Sequence, residues 1–223
     1  MANYYYMQDL IKQEQFELEV LERLNSGRFL GPLAFGGGTM MRLCFGLNRF
    51  SLDLDFWVIK EIDKSKFFNG LKKYLAQYYT LRDSASKFYT MLFELKSDAY
   101  PRSLKIEIRK ETRKIATEQA IAYSQYANTQ VILKAVSLKE MMQSKIQAFL
   151  DRKEIRDVFD IEFLLKKGIE LAISPQTGTG LLKTIDTLNR NDYAVKLGSL
   201  LEANQRKYYR TENFKLLKSA LHK

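Results

Sequence analysis

Several residue types that often build functional sites are almost absent from this 223-residue chain, which has one cysteine, one histidine and three prolines. A single cysteine, Cys44, excludes an intramolecular disulfide. The only histidine, His222, is the penultimate residue, which argues against a histidine general base or a histidine zinc site. No run approaches the roughly 18 apolar residues of a membrane-spanning helix, and the first residues lack the pattern of a signal peptide. We therefore expect a soluble cytoplasmic protein with no membrane partner.

The chain is instead rich in apolar and basic residues. Hydrophobic residues make up 46% and aromatic residues 13%, which is enough to fill a core and excludes disorder for most of the chain. The formal net charge of +10 favours polyanionic partners such as nucleic acids and nucleotides. Net charge alone does not distinguish a protein that binds nucleic acids or nucleotides from a basic protein that binds only solvent. The distinction depends on the sequence motifs.

The pattern of apolar residues divides the chain near residue 137. We predict an α+β protein in which residues 1–136 form an α/β half with a small mixed sheet and residues 137–223 form an all-α half. The predicted strands are 33–35, 52–59, 88–95, 104–109 and 131–136. The predicted helices are 3–26, one capped by Thr39 and ended by Gly46, 65–78, 138–152 and 156–167, with about three more toward the end. Residues 174–180 are predicted to form a loop that could also supply helix caps and a hinge.

Two aspartates alternate with apolar residues in Ser-Leu-Asp-Leu-Asp-Phe, residues 51–56. Side chains of a strand alternate between its faces, so Asp53 and Asp55 point the same way while Leu54 and Phe56 point to the core. Parallel carboxylates repel unless a cation lies between them, and Mg²⁺ prefers such oxygen ligands. An isolated Asp-x-Asp pair is also compatible with an ordinary solvated strand face.

Three glycines, residues 36–38, lie between a short apolar strand and a helix start at Thr39. Glycine lets the backbone approach a phosphate closely, and a helix N-terminus presents free N–H groups to it. The run matches neither a Walker loop nor a dinucleotide-binding pattern, and a tight turn would also explain at least one of the glycines.

A third carboxylate is available on the strand Leu104–Arg109, where Lys105, Glu107 and Arg109 share the polar face. Glu107 would join Asp53 and Asp55 if this strand lay beside theirs. An amphipathic strand with a charged outer face is the alternative.

A charged constellation follows in the helical half, where Lys145 and Arg152 lie seven residues apart on one predicted helix face. Asp157 and Asp160 lie in the first turns of the next helix, where carboxylates are favoured, and Asp160 can pair with Arg156. A charged helix face alone would explain all of these residues. Further on, Tyr208, Tyr209 and Phe214 alternate with basic residues, which suggests either RNA stacking or an amphipathic terminal helix.

These segments together resemble the AbiEii/AbiGii-type nucleotidyltransferase toxins of abortive-infection and toxin–antitoxin systems. The first family motif matches Gly37-Gly38-Thr39, Phe45-Gly46, Arg49-Phe50-Ser51 and Asp53-Leu54-Asp55-Phe56. The later pattern K-x-x-A-x-x-x-R-x-x-x-R-D-x-x-D matches from Lys145 to Asp160 without a gap, and the resemblance runs from about residue 30 to 168. One departure is Gly36, where many relatives carry a lysine, which we expect to alter nucleotide grip or selectivity.

The resemblance implies a nucleotidyltransferase-like sheet followed by a helical domain, with an active site between them. Asp53 and Asp55 would hold Mg²⁺ with Glu107 as a third acidic residue, and the catalytic set would add Lys145 and Asp157. The NTP substrate would be bound by residues of the first motif: Gly37, Gly38, Thr39, Arg49 and Ser51. The acceptor would be the 3′ end of tRNA, with translation blocked as the consequence, and a cognate antitoxin would be a partner. A catalytically idle binding module and a small-molecule nucleotidyltransferase remain alternatives.

Overall fold

The computed structural model describes the backbone of residues 2–222 and the side chains from residue 6 to residue 222. The chain divides into two compact units, Met1–Gly46 with Phe50–Val136 and Leu47–Arg49 with Ser137–Lys223. Among the described residues, no helix combines the length and apolar character needed to cross a membrane.

Seven strands in the described part of the first unit form one mixed sheet, in the order β3-β4-β5-β2-β1-β7-β6. Strands β2 and β5 are parallel, as are β1 and β7, and the other neighbours are antiparallel. The strands are β1 (Leu33–Gly36), β2 (Asp53–Val58), β3 (Thr80–Ser86), β4 (Thr90–Lys96), β5 (Leu104–Thr112), β6 (Thr117–Ala122) and β7 (Val131–Val136). The helices of this unit are α1 (Ala2–Ser26), α2 (Gly37–Phe45) and α3 (Lys64–Leu75). The prediction of a mixed α+β fold is confirmed.

The N-cap of helix α2 lies three residues earlier than the sequence predicted. Its N-cap is Gly36, which has an extended backbone and no side chain to cap with, and Gly37 is the first helical residue. Thr39 is therefore not the N-cap, and its hydroxyl instead donates a hydrogen bond of 2.6 Å to the carbonyl of Asp53. The predicted end at Gly46 is confirmed, because this glycine adopts the left-handed conformation (φ +75°) that closes a helix.

Two strands at the edges of the sheet, β3 and β6, were missed by the sequence analysis. Both are largely exposed along their length. An edge strand with polar residues on both faces lacks the apolar alternation by which strands are recognised.

Helices make up the described part of the second unit: α4 (Leu138–Arg152), α5 (Ile155–Lys166), α6 (Pro175–Asp186), a π-helical turn (Asp192–Leu197), a 3-10 turn (Gly198–Leu200), α7 (Ala203–Glu212) and α8 (Lys215–Leu221). The predicted loop at 174–180 is wrong, because most of it is the first half of α6. Ser174 caps this helix by accepting a hydrogen bond from the Thr177 amide, and Pro175 occupies the first turn. Serine followed by proline is a strong helix start, and it outweighs the glycines that follow.

Candidate active site

Asp53 and Asp55 lie on one face of β2, while Leu54 and Phe56 between and after them are buried. Strand β5 is the parallel neighbour of β2, and its Glu107 is the register partner of Asp55. Register partners on neighbouring strands project to the same face. Glu107 is therefore adjacent to the aspartates, as the sequence predicted on the condition that the strands were neighbours.

Gly37 permits the close approach between the start of α2 and Asp55. Its backbone has φ +75°, and a Cβ atom placed there would lie 2.9 Å from both Cβ and Cγ of Asp55. Real Cβ atoms essentially never come this close, so only glycine fits. The position before it differs, since a Cβ on Gly36 would meet Val136 and Trp57 at ordinary distances of 3.5 Å and 3.6 Å.

Side chains from two helices hold the start of β2 through its backbone carbonyls. Thr39 of α2 donates to the carbonyl of Asp53, and Gln13 of α1 donates to the carbonyl of Leu52 at 3.4 Å. Thr39 and Gln13 are fully buried. Because hydrogen bonds to buried carbonyls are costly to lose, these two residues fix the backbone from which Asp53 projects.

A polar cluster on α1 lies close to Asp53, and the sequence analysis missed it. Glu14 forms an ion pair with Arg42 and accepts a hydrogen bond from Ser124. Glu17 is fully buried, and neither of its carboxyl oxygens has a hydrogen-bond partner in the described part of the chain. Burial, with the negative charges of Glu14 and Asp53, raises the pKa of Glu17 well above 4.5 despite the opposing effect of Arg42.

The later charged constellation forms a buried ion-pair cluster in the second unit. Asp157 is fully buried and receives two hydrogen bonds from Arg152, at 2.6 Å and 2.7 Å. The ammonium of Lys145 lies 3.2 Å from Asp157 and 2.7 Å from Asp160. The predicted common face of Lys145 and Arg152 is confirmed, because both side chains reach the same carboxylate.

Arg49 of the first motif belongs to the same cluster. Its guanidinium donates to both carboxylate oxygens of Asp160, each at 2.7 Å, and both side chains are almost fully buried. The predicted pairing of Asp160 with Arg156 is wrong, because Asp160 pairs with Arg49. Burial would raise the pKa of Asp160, but the charges and hydrogen bonds of Arg49 and Lys145 hold it below its usual value.

No group of three histidine, cysteine, aspartate or glutamate side chains in the described residues is arranged to hold a metal ion. Asp53, Asp55 and Glu107 are neighbours in the sheet, yet their carboxylates do not converge on one point.

The sequence matches the family model described as "Nucleotidyl transferase AbiEii toxin, Type IV TA system" over residues 19–210. The chain belongs to the AbiEii family. The resemblance inferred from the motifs is thereby confirmed, and with it the assignment as a nucleotidyltransferase toxin. A type IV toxin–antitoxin family implies an antitoxin partner and an NTP substrate.

Solved structures support the same fold. JHP933 from Helicobacter pylori is 20% identical, with a TM-score of 0.52 over 99% of this chain and 92% of that one. An antigenic nucleotidyltransferase-like protein from Paracoccidioides brasiliensis is 17% identical, with a TM-score of 0.50 over 87% of this chain and 95% of that one. No curated protein matches the sequence of this AbiEii member closely enough to count as a relative.

Other predicted residues of this AbiEii protein are placed as follows. Gly38 is buried in the first turn of α2, and Ser51 is partly exposed just before β2. Cys44 is not suited to be a nucleophile, because burial raises the pKa of its thiol to about 12. RNA stacking by Tyr209 and Phe214 is wrong, because both rings are buried and lie 5.2 Å apart, centroid to centroid.

Proposed function

We propose that this protein transfers a nucleoside monophosphate from an NTP to the 3′-terminal hydroxyl of tRNA, with Mg²⁺ bound by Asp53 and Asp55. The observation that carries the proposal is the shared face of these aspartates on β2, with Gly37 against Asp55 at the start of α2. The net charge of +10 favours tRNA over a small-molecule acceptor.

The donor set fits magnesium. Both aspartates offer hard carboxylate oxygens from one face of one strand, and Glu107 on the next strand is the proposed third acidic residue. When bound there, Mg²⁺ would neutralise charge on the triphosphate.

The chain's own residues bind and orient the nucleotide. Gly37 and Gly38 present the free amides of the α2 N-terminus to the phosphates, and Ser51 adds a hydroxyl. Thr39 and Arg49 are positioning residues. The hydroxyl of Thr39 donates a hydrogen bond to the Asp53 carbonyl, and the guanidinium of Arg49 donates one to the Asp160 carboxylate. These contacts keep the first motif in place while the nucleotide binds.

In the reaction the oxygen of the acceptor hydroxyl attacks the α-phosphorus, and the proton of that hydroxyl passes to water. A new O–P bond forms, and the bond from the α-phosphorus to the bridging oxygen breaks to release pyrophosphate. Catalysis of this kind is mostly positioning and charge neutralisation. Lys145 and Asp157 are the proposed catalytic residues of the second motif.

The biological consequence is arrest of translation in phage defence. The added nucleotide blocks the original 3′-terminal hydroxyl of the tRNA, so the tRNA can no longer be charged with an amino acid. Production of the protein without its antitoxin should stop growth, and production of the Asp53→Asn variant should not.

Purified protein is incubated with Mg²⁺, bulk tRNA and each α-³²P-labelled NTP in turn. We expect label on tRNA with the wild type and with Asp98→Asn, which removes an exposed carboxylate in the turn after β4, but not with Asp53→Asn. Label on protein or on a small molecule would discard the tRNA acceptor and keep the enzyme. No turnover with any nucleotide would favour an idle binding module and overturn the proposal.

A further inference from the structure

Two aromatic side chains stand exposed at the tip of the β3–β4 hairpin. Phe88 is 84% exposed and Tyr89 is 77% exposed, more than any other large apolar side chain in the described residues. Single apolar residues on a surface need no explanation, but two adjacent, nearly uncovered rings suggest a binding role.

The tip is held in place by strand β5. The Lys110 amide donates to the carbonyl of Tyr89 at 2.9 Å, and the Lys110 ammonium donates to the carbonyl of Lys87. The rings of Phe88 and Tyr89 pack edge to face, with centroids 4.6 Å apart. A ligand would therefore meet pre-positioned rings, which lowers the entropy lost on binding.

The surroundings of the tip are basic. Lys87 and the segment 105–114 carry six basic and two acidic side chains, a net charge of +4. One of the two acids, Glu111, is paired with Arg113 at 2.8 Å. Stacking rings among basic side chains suit single-stranded nucleic acid, in which bases stack and phosphates need neutralisation.

The register places this tip within reach of the candidate aspartates, across strand β5. Asp55 pairs with Glu107, and two residues along β5 Arg109 pairs with Thr90, the residue after the tip. By strand spacing and rise, the Cα of Thr90 lies about 12 Å from that of Asp55. The tip, one residue further on, is then at a distance of roughly four stacked nucleotides at 3.4 Å each.

We propose that Phe88, Tyr89 and Lys87 bind the single-stranded 3′ end of an acceptor RNA a few nucleotides upstream of its terminal hydroxyl. The inference rests on the proposed function, since it takes the terminal hydroxyl to lie at Asp53 and Asp55. Phe88 and Tyr89 stack on bases, and Lys87 neutralises a phosphate. Arg109 extends the basic surface toward the aspartates, with its guanidinium 5.7 Å from the Trp57 ring.

The first test measures binding without catalysis. A fluorescein-labelled RNA hairpin with a four-nucleotide 3′ overhang is titrated, and fluorescence anisotropy is read. The double variant Phe88→Ala/Tyr89→Ala should bind roughly 5- to 150-fold more weakly than the wild type. Tyr123→Ala, which removes a 57% exposed ring next to the opposite edge strand, should bind as the wild type does. Lys87→Gln should reduce the slope of log K against log salt by about 0.7.

The second test separates this inference from the proposed function. If the wild type labels the overhang RNA and the double variant raises KM with kcat little changed, both stand. If transfer occurs but neither binding nor KM changes in the double variant, the hairpin inference is overturned and the enzyme remains. If no acceptor is labelled yet the double variant loses RNA binding, the RNA surface stands and the catalytic proposal fails. Equal binding of a blunt hairpin would also overturn the proposed recognition of a single strand.

Discussion

The buried carboxyl group of Glu17 should make this protein less stable as the pH rises above 4.5. Its pKa is raised in the folded state mainly by burial, whereas the unfolded chain titrates near the ordinary value of 4.5. Above pH 4.5 the unfolded chain loses this proton while the folded chain keeps it. The unfolded state then binds fewer protons, so the free energy of unfolding falls with pH until the folded group also ionises.

The substitution Glu17→Gln removes this effect and keeps the shape of the side chain. The slope that one such group contributes is about 1.4 kcal/mol per pH unit. The variant should therefore gain stability relative to the wild type as the pH rises above 4.5, until Glu17 also ionises in the folded state.

Urea unfolding at pH 5, 6 and 7 gives the free energy of unfolding for each protein. Glu22→Gln is the matched control, because it removes an exposed carboxylate from the same helix. A difference between Glu17→Gln and the wild type that stays flat, or shrinks, from pH 5 to pH 7 would refute the reasoning, because Glu17 would then not retain its proton in the folded state.

Two further predictions concern the motif residues. Gly37→Ala should abolish nucleotidyl transfer and lower the free energy of unfolding by about 1–2 kcal/mol through its left-handed backbone alone. Gly36→Ala should be tolerated, because a Cβ at this position meets only ordinary contacts. Equal activity of the two variants would contradict the steric argument. Asp160→Asn should cost about 3–5 kcal/mol in urea unfolding, because it removes the charged carboxylate that pairs with the buried guanidinium of Arg49. A loss below about 1 kcal/mol would show that the pair is not structural.

The sequence predicted the features of the candidate site that depend on local alternation. Asp53 and Asp55 share a face because side chains along a strand point to the same face at every second residue. The apolar residues beside them identify the segment as a strand. The adjacency of Glu107 could only be predicted conditionally, because pairing between strands some fifty residues apart is decided by the whole sheet.

The misplaced start of α2 has a tertiary cause. Thr39 has the side chain of a preferred N-cap, but its hydroxyl donates a hydrogen bond to the carbonyl of Asp53 on strand β2. Gly36 caps the helix through backbone conformation alone, which leaves no side-chain signal in the sequence. A tertiary hydrogen bond thus overrode a local preference.

Glu17 was missed although its position carried a signal. It lies one turn after Gln13 and beside Phe16, Val20 and Leu21, all on the buried stripe of α1. Charged residues on an apolar stripe are costly unless they are paired or neutralised. A glutamate in that register is therefore a candidate buried acid on the strength of its sequence position.

The cluster around Arg49 bears on which residues of the two motifs do the chemistry. Asp160 and Asp157 are both buried and already bonded by Arg49, Lys145 and Arg152. A carboxylate in such a cluster would have to exchange a charged partner before it could bind a metal, and leaving that partner buried and unpaired is costly. Spacing within the second motif therefore follows in large part from the need to hold its own helices and the Arg49 segment together.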